Sequence, residues 1–189
     1  MADYFSPTVI QPAIPVADIT PLERLLLSHI FNAEPDGDGL YFYADECPAD
    51  TIWLDRGPLE AALAQSKTIG STASTIVTQH LARIPADNVE IELDVSVAWE
   101  AILQDIVRRS ATLRYVTAVS AHTCSKMRPD GFGGMAVLIT PAHAMGKSTN
   151  DIIEDFLNEA VPGWAQETAT ITSMRPASQG SPANLPSQR

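Results

Sequence analysis

His122 and Cys124 are the two residues whose types and spacing come closest to a catalytic pair. Residues two apart in a β-strand lie on the same face, so the imidazole and the thiol could touch. An adjacent imidazole lowers the pKa of a thiol and makes it nucleophilic. A cysteine on an apolar strand is more often a small buried side chain. His122 and Cys124 are therefore weak candidates for catalysis, and the pattern does not favour an enzyme.

A metal site would need ligands from distant parts of the chain. Cys47 and one of His29, His80 and His143 could join the His122–Cys124 pair to complete four zinc ligands. The sequence has no C-x-x-C spacing, which zinc sites commonly use. We therefore predict no metal site and no cofactor.

The segment Gly146-Lys147-Ser148-Thr149 resembles the end of a phosphate-binding loop. The full pattern requires a glycine five residues before Gly146, and that position is Pro141, which lacks the flexibility and the backbone N–H donor. Nucleotide hydrolysis is not predicted. Instead, Gly146 is expected to turn the chain and Ser148 to cap a helix, with Lys147 as a candidate contact for an anion.

The segment 125–134 is predicted to be the loop of a β-hairpin, because Pro129-Asp130-Gly131 is a turn sequence between two apolar runs. Lys126, Arg128 and an exposed Phe132 could together contact an anionic ligand or a partner. The alternative is a solvated loop whose Phe132 folds back on the core.

Charge is distributed unevenly along the chain. Residues 106–150 carry six Lys/Arg against one acid, whereas residues 1–105 have a net charge of −13 and residues 151–189 of −3. The overall charge of −11 disfavours nucleic-acid binding and favours a basic partner. Glu90, Glu92 and Asp94 alternate with apolar residues on one predicted strand and could contribute to an acidic contact surface.

Hydrophobic periodicity and capping signals predict the elements that must position these residues. Thr20, Pro21 and Glu23 form a capping box at the start of the first helix. Helices are also expected after Asp55, Ser71, Ser96 and Ser148, and strands at 40–44, 52–54, 88–95, 115–124 and 135–140. The order α-β-α-α-β-α-β-β-α predicts an α+β fold, with a mainly antiparallel sheet of four or five strands and helices on one face.

The chain is expected to be one domain with two extensions. Residues 1–19 contain three prolines and are predicted to be an extended arm over the body. Residues 20–175 are the predicted domain. Residues 176–189 are rich in Pro, Ser, Gln and Gly, a composition typical of disorder.

Bulk properties favour a soluble cytoplasmic protein. The N-terminus lacks the basic and apolar regions of a secretory signal, and no apolar run approaches the ~18 residues of a membrane span. The two cysteines, Cys47 and Cys124, are therefore expected to be free thiols in a reducing compartment.

Three segments also carry a resemblance: Thr20-Pro21-Leu22-Glu23, residues 108–115 (RRSATLRY) and residues 124–134. Through them the chain resembles, over about residues 1–160, a family of small uncharacterised bacterial proteins associated with plasmid and other mobile-element backbones. The resemblance implies a bacterial cytosolic setting. It implies no activity, ligand or catalytic residue.

Together these features favour a non-enzymatic accessory protein that binds another macromolecule, most simply a protein. The predicted contact region is the hairpin 126–134, with the acidic surface as a second one and Lys147 as a further candidate. Homodimerisation through an unpaired strand edge or through the arm is a further expectation. The alternative is a small enzyme or anionic-ligand binder that uses His122 and Cys124.

Overall fold

The computed structural model describes residues 2–161, which form ten strands and five helices. The strands are β1 (Tyr4–Phe5), β2 (Thr8–Gln11), β3 (Ile14–Pro15), β4 (Asn32–Asp36), β5 (Gly39–Ala44), β6 (Thr51–Asp55), β7 (Glu90–Asp94), β8 (Val116–Cys124), β9 (Gly133–Ile139) and β10 (Ala144–Ser148). The helices are α1 (Pro21–Ile30), α2 (Arg56–Gln65), α3 (Thr72–Leu81), α4 (Trp99–Arg109) and α5 (Thr149–Ala160).

Eight of these strands form one antiparallel sheet. β10, β9, β8, β2 and β5 are neighbours in that order, β1 also pairs with β8, and β3 and β4 both pair with β5. The predicted α+β class with a mainly antiparallel sheet is confirmed. The expected number of four or five strands is wrong, because β1 to β4 and β10 were not predicted. Pro15, Pro35 and Gly146 weaken the strand propensity of β3, β4 and β10. β1 and β2 are short, and their pairing with the distant β8 is not visible in the local sequence.

The N-terminal segment lies in the middle of the large sheet. β2 pairs with β8 on one side, from Thr8 opposite Ser120 to Gln11 opposite Thr117. On the other side, β2 and β3 pair with the same edge of β5. Ile10 and Ile14 of this segment are buried in the core. The segment expected to be an arm over the body thus joins two hairpins into one sheet.

The core lies between this sheet and the helices. Alternate residues of the strands face inward, where they are buried together with apolar residues of α1 and α4. Examples are Ile10 of β2, Phe42 of β5, Val116 of β8 and Ile139 of β9, each at most 1% exposed. Successive strand residues point to opposite faces, so the residues between them define a second face of the sheet, which we call the outer face.

The N-termini of α1 and α4 test two of the predicted helix caps. The capping box of α1 is confirmed: Thr20 Oγ1 accepts from Glu23 N at 3.3 Å, and Glu23 Oε2 accepts from Thr20 N at 2.9 Å. The prediction that Ser96 caps α4 is wrong, because this helix begins at Trp99. Ser96 instead donates from its backbone N and its Oγ to Asp94 Oδ1, and these bonds hold the pKa of Asp94 below its usual value.

A second, two-stranded sheet pairs β6 with β7 antiparallel. The predicted alternation of residues 88–95 is confirmed over β7, where Ile91 and Leu93 are buried and the intervening acids are exposed. Trp53 lies opposite Glu92 on the exposed side. This sheet therefore presents an acidic face.

The chain divides into two compact units, residues 1–149 and 150–189. The described part of the second unit is residues 150–161, and all but the last of these belong to α5. The Ile153 and Phe156 side chains of this helix are exposed. The end of the predicted domain, residues 162–175, and the predicted disordered tail, residues 176–189, lie outside the described residues.

Candidate functional site

The predicted hairpin exists and holds five of the candidate residues. β8 and β9 pair from Val116 opposite Ile139 to His122 opposite Gly133, and the loop between them contains a short 3₁₀ turn at Pro129–Gly131. Lys126, Arg128 and Phe132 are exposed in this loop. Its end therefore faces solvent, as a contact region requires.

The positive charge of the loop is smaller than the sequence indicates. Arg128 Nε lies 3.5 Å from Asp130 Oδ1, and Asp3 is bonded to Ser125 through its backbone N at 2.9 Å. The arginines of α4 are also engaged elsewhere: Arg109 Nη2 binds the buried Glu23 Oε2 at 2.6 Å, and Arg108 Nη1 binds Asp105 Oδ1 at 2.7 Å. The basic stretch 106–150 therefore does not form one cationic patch.

Cys124 is a buried thiol at the base of the loop, 8% exposed. Gly131 packs directly over it, since a Cβ at Gly131 would lie only 2.3 Å from Cys124 Cβ. Tyr4 lies beside them and donates to Asp130 Oδ2 at 3.3 Å. Partial burial raises the pKa of Tyr4, and the neighbouring Asp130 and Cys124 raise it further. Cys124 is thus enclosed as a small core side chain.

His122 contacts a residue that the sequence did not single out. Its Nδ1 lies 3.1 Å from Ser6 Oγ, in an exposed position. A serine–histidine pair acts as a nucleophile only when the imidazole is oriented by a third group and an oxyanion site is nearby. Among the described residues, the side-chain hydrogen bond of His122 is to Ser6 alone. This arrangement does not complete a triad.

Gly146 and Lys147 lie within β10, opposite Val137 and Ala136 of β9. The expectation that Gly146 turns the chain is therefore wrong. A Cβ at Gly146 would lie 2.7 Å from Met135 Cε and 3.3 Å from Val137 Cγ2, so this glycine permits close packing of the edge strand. α5 begins at Thr149, directly after Ser148.

The outer face of the large sheet is the surface that the sequence did not reveal. Direct pairing places two rows of residues across it. The first row runs Tyr43, Val9, Val119, Ala136, Lys147. The second row runs Gln11, Thr117, Leu138, Met145. Val119 of the central strand β8 is 44% exposed and Met145 of the edge strand β10 is 57% exposed, so apolar side chains on this face meet solvent.

Two neighbouring grooves cut into the outer face and share Thr117. The apolar groove, of about 480 Å³, is lined by Thr117, Val119, Ala136–Leu138 and Met145–Lys147. The aromatic groove, of about 640 Å³, is lined by Gln11–Ala13, Asp36, Tyr41, Tyr115 and Thr117. Neither groove is lined by His122 or Cys124. The structure thus separates the predicted catalytic candidates from these two grooves.

The signal for this face was present but ambiguous. Residues 135–139 are all apolar, a pattern typical of a strand buried on both sides. In the structure only Val137 and Ile139 are buried, whereas Ala136 and Leu138 point to the outer face. β9 therefore has the composition of a two-sided buried strand while one of its sides is open.

No protein-family model matches the chain, and no curated protein or solved structure matches it either. Within residues 2–161, no helix has the length and apolar character needed to cross a membrane.

Proposed function

We propose that this chain is a non-enzymatic accessory protein that binds another protein through the outer face of its large sheet. The observation that carries the proposal is the apolar composition of that face, where Val9, Val119, Ala136, Leu138 and Met145 occupy adjacent strands. The wet side of an antiparallel sheet is ordinarily polar. A contiguous exposed apolar patch of this kind marks an interaction surface.

A protein partner accounts for this face better than a nucleic acid does. Affinity for nucleic acid depends on Lys and Arg contacts with phosphates, and the chain has a net charge of −11. Glu34 lies opposite Tyr41 on the outer face, and Asp36 follows it on the same side of β4. These carboxylates would repel a phosphate backbone along one edge of the face.

The hairpin loop remains part of the proposed contact region as an edge of this surface. Lys126, Arg128 and Phe132 lie at the end of β8 and β9, whose outward side chains form the centre of the face. The Arg128–Asp130 pair is exposed and therefore contributes little energy that a partner would have to replace. The acidic side of β6–β7 is a second proposed surface.

Self-association is a separate part of the proposal. β10 is an edge strand whose first four residues are exposed, and it contains no proline. At the other edge, β4 carries Glu34, Pro35 and Asp36, the residue types that discourage edge pairing. A homodimer formed through β10 would leave the outer face available. We place the protein in the bacterial cytosolic, mobile-element setting that the resemblance implies.

To test the proposed binding surface, a glutamate is introduced on the outer face and, as a control, at an exposed position outside it. Val119→Glu and Ala136→Glu place carboxylates on the face, and Val97→Glu is the matched control because Val97 is 88% exposed outside it. The full chain, immobilised, is expected to retain a protein from an extract of its source cells. Val97→Glu should retain the same amount of this protein as the wild type. Each of the two face variants should retain at least tenfold less of it, with a melting temperature equal to that of the wild type.

An identical set of retained proteins for all four chains would contradict the proposal. Analytical ultracentrifugation of the four chains tests self-association separately. A dimer that Val119→Glu dissociates would show that the face binds a second copy of this chain instead of a different protein.

A further inference from the structure

The aromatic groove combines rings, a carboxylate and an amide in one concavity. Its lining includes Gln11, the last residue of β2, and Pro12 and Ala13, which connect β2 to β3. Asp36 and Tyr41 of the β4–β5 hairpin line one side, and Tyr115 and Thr117 at the start of β8 line the other. The volume of about 640 Å³ is within the usual range for binding sites.

The Tyr41 ring packs against a neighbouring ring on the same strand. It stacks on the Tyr43 ring with centroids 5.3 Å apart and an interplanar angle of 21°. Tyr43 in turn donates from its hydroxyl to Glu34 Oε1 at 2.7 Å. Tyr115, across the groove, is 52% exposed. One wall is therefore held in place, whereas the ring on the other side is accessible to a ligand.

A cation is the ligand chemistry that this combination fits. The faces of tyrosine rings carry negative partial charge and attract ammonium and guanidinium groups. Asp36 supplies a full negative charge at the same site, and Gln11 adds an amide that can accept a hydrogen bond. An anion would meet the Asp36 carboxylate and gain nothing from the rings.

We propose that the aromatic groove binds a lysine or arginine side chain of the protein that docks on the outer face. This inference rests on the proposed function and specifies the partner. The aromatic groove adjoins the apolar groove at Thr117, and the acidic edge of the face at Glu34 and Asp36 lies on its other side. The complementary partner segment thus presents a basic side chain next to apolar ones.

The test uses single side chains as probes, so that it does not require the partner. The full chain, labelled with ¹⁵N, is titrated with N-acetyl-lysine N-methylamide while backbone amide shifts are recorded. N-acetyl-norleucine N-methylamide, which has the same aliphatic chain without the ammonium group, is the matched probe. We expect saturable shifts at Gln11, Ala13 and Thr117 with the lysine probe and shifts at least fivefold smaller with norleucine.

Two variants test whether the Asp36 carboxylate is the charge that binds the lysine probe. Asp36→Asn removes the carboxylate that lines the groove and should abolish the saturable shifts. Asp38→Asn removes the same charge two residues away, outside the groove lining, and should leave them within twofold. Equal shifts with lysine and norleucine, or equal losses in the two variants, would overturn the inference.

The outcome can be separated from that of the proposed function. If the probe does not bind while Val119→Glu still releases the retained protein, the docking face stands and the basic side chain is wrong. If the probe binds but face variants retain the protein as the wild type does, the groove is a cation site unrelated to the docking.

Discussion

The thiol of Cys124 is enclosed by Tyr4, from the N-terminal segment, and by Gly131, from the loop that follows β8. A catalytic thiol must be accessible to its substrate and is activated by a nearby positive charge. The His122 imidazole is engaged with the Ser6 hydroxyl instead. At the scale of single residues, the structure therefore supports a packing role for Cys124.

The two cysteines of the chain provide an internal comparison for this point. Cys47 is exposed and Cys124 is buried. A thiol reagent at neutral pH should modify Cys47 within minutes and Cys124 at least a hundredfold more slowly, because labelling of Cys124 requires local opening. In Cys47→Ser the fast phase should disappear and the slow one remain until denaturant is added. Fast labelling of Cys124 in that variant would restore the enzyme alternative.

At the scale of elements, the segment Tyr4–Pro15 connects two parts of the sheet that otherwise do not pair. β2 is hydrogen-bonded to both β5 and β8, and no other strand within residues 2–161 joins them. The packing of Ile10 and Ile14 adds apolar contacts on the core side. The first fifteen residues should therefore be essential for stability.

Truncation of a single buried side chain tests this role. Ile10→Ala should lower the free energy of unfolding by about 2–5 kcal/mol, the usual cost of removing a fully buried isoleucine side chain. Val16→Ala, at a position 40% exposed just after β3, should cost less than about 0.5 kcal/mol. Urea unfolding followed by circular dichroism measures both. A loss for Ile10→Ala as small as that of Val16→Ala would show that the segment is dispensable.

Elements with strong local signals could be predicted from the sequence, and elements that depend on distant partners could not. The capping box at Thr20 and the alternation around Ile91 are encoded within a few residues, and both were found. β4 contains Pro35 and β10 contains Gly146, so local propensity argues against either strand. Each of them nevertheless forms a hairpin with its neighbour in the sequence, β5 or β9. β2 is the strand that depends on a distant partner, because Thr8 pairs with Ser120 of β8, 112 residues away.

At the scale of the whole molecule, the candidate site could be predicted only in part. The hairpin loop followed from its turn residues, and its exposure matches that expectation. The positive charge expected for residues 106–150 was overestimated, because Arg109 of α4 pairs with the distant Glu23 and Arg128 of the loop lies beside Asp130. The outer face could not be derived from residues 135–139, since an apolar run does not reveal which side of a strand is covered.

The same apolar run is informative once the sheet is known. A first unit with a complete core between sheet and helices has no need of Val119, Ala136 and Leu138 on its other side. Exposed apolar side chains there carry a risk of aggregation. Their presence is explained if a partner protein covers them, with the acidic edge at Glu34 and Asp36 selecting a basic one.

The most direct measurement of this central claim is site-specific photo-crosslinking in the source cells. A benzophenone amino acid replaces Val119 on the outer face in one chain and Val97 in another, and mass spectrometry identifies the products. We predict a crosslink from position 119 to one defined protein, with basic residues near the crosslinked peptide, and no such product from position 97. Identical products from both positions, or crosslinks from 119 only to other copies of this chain, would contradict the account.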